Sequence, residues 1–106
     1  MPPAYEAVRC TDLSRCDYTL IQLTDKGSIS LDVTPRADAG YPPVMHTSLY
    51  RSDIDGAIGS PVPTASSGKP SPNSVRTARL AAGYYLAEVE WIEGAGSYYA
   101  LAQLTP

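Results

Sequence analysis

Apolar residues recur at every second position along much of the chain. Ile29, Leu31 and Val33 alternate with Ser28, Ser30 and Asp32, and Tyr85, Ala87, Val89 and Trp91 alternate with Leu86, Glu88, Glu90 and Ile92. A period of two puts one apolar and one polar face on an extended strand, so both runs predict half-buried β-strands. Ten Pro and eight Gly leave only 74–82 as a helix-length window, and it holds β-branched Val75 and Thr77. Helix content near zero is therefore expected. The pattern predicts eight strands, over 5–9, 17–24, 28–34, 46–51, 57–62, 74–80, 84–92 and 97–104. Asp25-Lys26-Gly27 and Glu93-Gly94-Ala95-Gly96 read as hairpin loops, and Asp55-Gly56 as a turn whose Gly takes positive φ. Short strands with closely spaced turn signals imply an all-β antiparallel sandwich or barrel. Of two longer loops, 35–44 and 61–73, the second is rich in Pro and Ser and is expected to be an exposed extended arm.

Composition narrows this to one domain over 1–106, with a short N-terminal arm (1–16) and the loop 61–73, because 106 residues at 43% hydrophobic bury a single core. Eleven Asp/Glu against eight Lys/Arg give a net charge of −3 and no electrostatic reason to bind nucleic acid or an anionic membrane. No apolar run approaches the ~18 residues of a membrane span, and the opening MPPAYEAVRC lacks the features of a signal peptide. Eight Tyr and one Trp stand against no Phe, so nearly every large ring carries a polar handle.

An ordered set of motifs runs through the second half. Ser48-Leu49-Tyr50-Arg51-Ser52-Asp53-Ile54-Asp55-Gly56 precedes Leu80-Ala81-Ala82-Gly83-Tyr84-Tyr85-Leu86-Ala87-Glu88-Val89, and Gly96-Ser97-Tyr98-Tyr99-Ala100-Leu101 closes the series. This order resembles the bacterial pre-peptidase C-terminal domain, and Asp17-Tyr18-Thr19-Leu20 followed by Gly27-Ser28-Ile29-Ser30-Leu31 is similar to that family's opening strands. The resemblance covers about four fifths of the chain. It implies a small jelly-roll-like β-sandwich of the kind appended to exported enzymes. The chain lacks the dense carboxylate cluster with which some members of that family hold calcium.

Candidate chemistry is sparse. His46 is the one histidine, so a nucleophilic triad or an imidazole-rich metal site would depend on it alone. Glu88 and Glu90 share a strand face about 7 Å apart, a spacing open to paired-carboxylate chemistry, but a solvated charged face is the reading preferred here. Asp53, Asp55 and Gly56 form a fragment of a calcium loop, with two carboxylates where such sites need more. A plain turn is the simpler reading. Cys10 and Cys16, with five residues between them, suit either free thiols or a small disulfide loop, the latter pointing outside the reducing cytosol. No cofactor is expected.

Two long stretches carry no charge, 56–68 and everything after Glu93. A last strand without charge is either covered on both faces or meets another subunit. Tyr84, Glu88, Glu90, Tyr98, Tyr99, Leu104, Pro61 and Pro63 are the candidate contact residues. Because adjacent residues point to opposite faces, one ring of Tyr84-Tyr85 and one of Tyr98-Tyr99 is expected in the core, leaving the other for a partner. The expectation is a non-enzymatic structural or accessory subunit of a larger assembly, a small phage decoration or tail-associated protein, contacting other protein subunits or its own copies. It would then reside in a virion or outside the cell after release. The alternative is an extracellular binding module recognising protein or polysaccharide, with Tyr41, Tyr84, Tyr98 or Trp91 as stacking surfaces.

Overall fold

A computed structural model describes residues 15–37, 40–66, 74–94 and 96–106. The strand expected over 5–9 and the loop residues 67–73 lie outside the described residues. The ordered elements are β1 (Cys16–Leu23), β2 (Ser28–Ala37), β3 (Val44–Ser52), β4 (Ala65–Ser66), β5 (Val75–Arg76), β6 (Gly83–Glu93) and β7 (Gly96–Thr105). Among the described residues five are long and two are two-residue pairings, where the sequence predicts eight strands over the whole chain. The fold is an all-β antiparallel sandwich: one sheet has the order β1-β6-β3 and the other β4-β5-β2-β7.

Two expected strands exist only as partial ladders. Residues 59–62 run along the edge of β3, where Gly59 N donates to Arg51 O at 2.8 Å, Arg51 N to Ser60 O at 2.8 Å and Val62 N to Leu49 O at 2.9 Å. Pro61 and Pro63 have no N–H to extend that ladder. Residues 75–80 run along β2, through the β5 pairing, a Thr77 N to Ile29 O bond of 2.9 Å and a Gly27–Leu80 bridge.

The hairpin expectation fails at both Gly-containing turns. β1 pairs with β6 rather than β2, and β7 pairs with β2 rather than β6, so the chain changes sheets after β1 and again after β6. Turn chemistry reports that the chain reverses; which strand becomes the neighbour depends on where the apolar faces are buried. At the β6–β7 corner the backbone requires glycine, since Gly96 has φ 149° and an added Cβ there would collide with the Arg36 carbonyl oxygen.

The inward faces make one core between the sheets. Ile21, Ile29, Leu31, Leu49, Val62, Val75, Tyr85 and Ala87 form its main cluster, and Val33, Met45 and Val89 a second, against which Trp91 and Tyr98 pack. Thr77 Oγ1 accepts from Ile29 N at 3.0 Å and Ser74 Oγ from Val33 N at 3.3 Å, satisfying β2 amides inside the sandwich. The expected exposed arm is corrected at its start: Val62 is fully buried and Thr64 nearly so, which pins residues 61–64 to the fold and leaves Pro61 and Pro63 outward. Their alternation carries the chain from the β3 edge to β4 and closes one side of the sandwich.

Candidate contact surface

The opposite side of the sandwich is open. There β1 and β7 are the terminal strands of their sheets and do not pair with each other. Between them lies a cavity of about 130 Å³, walled by Thr19 and Ile21 of β1 and by Tyr98, Ala100 and Ala102 of β7, with Val33 and Ala87 behind. Alternation places Ala100 and Ala102 on the inward face, and their short side chains leave this edge of the core unfilled, so both remain exposed. Tyr98 spans the opening, its hydroxyl donating to Asp17 Oδ2 at 2.8 Å. Burial, then the hydrogen bond and negative charge of Asp17, push the Tyr98 phenol up to about 12. The Tyr98 ring meets Trp91 edge-on at 5.5 Å, and Trp91 Nε1 donates to Gly96 O at 3.2 Å.

On its outward face β7 presents Tyr99 and Leu101, which are 62% and 57% exposed, and inward-facing Leu104, opposite Ile29, is 47% exposed. Arg36 lies over the Tyr99 ring at 4.5 Å and hydrogen-bonds its hydroxyl. A shallow depression of about 530 Å³ beside it is bounded by Asp32, Thr34, Ser74, Tyr99 and Leu101. The first alternative for the last strand, coverage on both faces, is thus overturned: among the described residues β7 is an edge strand, exposed along nearly its whole length.

The remaining candidate residues fall elsewhere. Tyr84 is half-buried and Tyr85 fully buried. Glu88 corrects the solvated-face reading, because it is only 1% exposed in the central strand, flanked across the ladders by Tyr18 and Ser48. With Leu86, Ser48 and Tyr50 also buried, β6 is covered on both faces from Tyr85 to Val89. Glu90, between Cys16 and His46, is half-buried. Ser48 Oγ stands 3.3 Å from His46 Nδ1, but Ser48 is 1% exposed and so is poorly placed to meet a substrate. Asp53 is used by its own turn: its Oδ1 accepts from Asp55 N at 2.9 Å and Ala57 N at 3.2 Å, while Gly56 takes φ 79°. Among the described residues no group of three His, Cys, Asp or Glu is placed to hold a metal ion. Cys16 is disulfide-bonded. Cys10, the only other cysteine, lies outside the described residues.

Sequence reasoning missed Leu101, Asp17 and the two inward alanines of β7. The available signal was the small-residue alternation Ala100, Ala102 in a strand whose partner β2 uses Leu31 and Val33 on the same face. Fold and surface together define an all-β sandwich in which, among the described residues, the uncharged strand β7 forms one open edge. Comparison with models of known protein families, with curated proteins and with solved structures finds no match to the chain.

Proposed function

We propose that this chain is a non-enzymatic structural subunit of a larger protein assembly, in the manner of a small decoration or tail-associated protein of a bacteriophage particle. The observation that carries the reading is β7, a ten-residue terminal strand with no charged side chain and no buried residue, whereas every other long strand buries part of its length in the core. A strand without charge at a sheet edge is a surface that suits protein neighbours better than water. The disulfide at Cys16 accords with a particle that functions outside a reducing cytosol. The lone His contacts a buried Ser, an arrangement that favours structure over catalysis.

The second reading, a module like the pre-peptidase C-terminal domain, draws on the sandwich architecture and the motif order. It needs a cluster of solvent-facing rings, whereas Trp91 and Tyr98 pack on each other and on the core, leaving Tyr41, at 93% exposure, as its strongest ring. Quantitative mass spectrometry of purified particles from the source, beside glycan binding by the purified chain, separates the two. Fixed stoichiometry of this chain in a particle is expected. A monomer absent from every particle that binds polysaccharide tightly would overturn the assembly reading in favour of the module.

A further inference from the structure

Among the described residues no strand pairs with the outer edge of β7, which presents a row of backbone donors and acceptors. Natural edges are usually shielded by Lys, by Pro or by a bulge. β7 has none of these: its ladder with β2 runs without a shift from Ser28↔Thr105 to Ala37↔Gly96, and no charged residue follows Glu93. Beneath the edge lies the cavity of about 130 Å³ whose wall is Ala100 and Ala102. A strand edge above an apolar gap calls for an extended segment with apolar side chains on its inner face.

Charge identifies the occupant. In a two-fold contact the same surface meets itself, so a charge on the axis faces its own copy and like charges close to the axis are brought together and repel. This chain is acidic, with eleven Asp/Glu and eight Lys/Arg, yet places none of them on β7. The nearest charges on the outward face, Asp32 and Arg36, lie one strand in on β2, with Arg36 over the Tyr99 ring, so β7 itself offers a second copy the neutral strand that self-pairing needs. The side chains are also self-complementary: with an axis at Ala100, Tyr99 of each copy stands opposite Leu101 of the other, ring against aliphatic side chain, and Tyr98 opposite Ala102, large against small.

We propose that two copies of the chain join antiparallel through β7 about a two-fold axis at Ala100, merging their four-stranded sheets into one continuous sheet of eight strands. This rests on the assembly reading and specifies its first contact. Sedimentation equilibrium of the full chain over a wide concentration range should give a mass rising from 11.3 kDa to twice that value. Hydrogen exchange at β7 amides should slow as the dimer forms. Leu101→Lys should raise the dimer dissociation constant at least ~10-fold, and an equimolar mixture of Leu101→Lys and Leu101→Glu copies should restore association, which a misfolded variant would not do. Ile54→Lys, in a separate exposed turn, should leave the dimer intact. A chain that stays monomeric at every concentration overturns the proposal, as does a monomer whose β7 amides are already protected. If that monomer is still found at fixed stoichiometry in a particle, the dimer fails while the assembly reading stands.

Discussion

Tyr98 sits where the two sheets are least closed, and its hydroxyl is the group that reaches from β7 to Asp17 on β1 at 2.8 Å. Removing it by Tyr98→Phe keeps the ring on Trp91 and deletes the bond, a loss of about 1 kcal/mol for a partly exposed hydrogen bond to a carboxylate. The ring's pKa gives this substitution a pH signature. Because the folded-state value of about 12 lies above the ordinary 10.0, folding favours the neutral phenol. That contribution is complete below pH 10 and is lost as pH rises through 12. Thermal melts of the two proteins from pH 8 upward should therefore show a gap that closes at the alkaline end. A gap of constant size would remove Tyr98 as its source. At this scale the sequence showed that one ring of Tyr98-Tyr99 turns outward but not which, and it did not show the burial of Glu88, which depends on the strands on both sides of β6.

Among the elements, β7 owes its position to the corner that precedes it. Gly94 and Gly96 both have positive φ, and Gly96 also lies so close to the Arg36 carbonyl that a methyl group has no room. Gly96→Ala should cost at least ~2 kcal/mol, combining the backbone penalty with a forced shift of the first residues of β7. Urea unfolding would register it as a lower midpoint with an unchanged slope. A near-neutral result would mean that the corner relaxes without cost. The alternation of Ile29, Leu31 and Val33 was sufficient to place β2, and that of Tyr85, Ala87 and Val89 to place β6. Residues 57–62 and 74–80 were legible as extended chain, yet the prolines at 61 and 63 and the sparse bonding beyond Arg76 reduce them to partial ladders.

For the whole molecule, closure is unequal on its two sides. Residues 59–66 lace the β3 edge to β4, with Val62 fully buried, whereas the β1–β7 side relies on Tyr98 and on whatever joins it. The disulfide at Cys16 constrains the entry to β1 on that open side. Reduction should lower the stability of the purified chain by about 2 kcal/mol, as for a short closed loop, seen as a drop in Tm on adding a phosphine reductant. An unchanged Tm would show that the bond does not restrict the unfolded chain. The sequence by itself determined the all-β character, the two faces of each long strand and the absence of charge after Glu93, since these follow from period-two alternation and composition at neighbouring positions. Only the tertiary structure decided that the apparent hairpins cross between sheets, that Glu88 is buried and that β7 is an edge. Each of these depends on which strands become neighbours, and that choice is made by burying apolar faces distant in the chain rather than by any local signal.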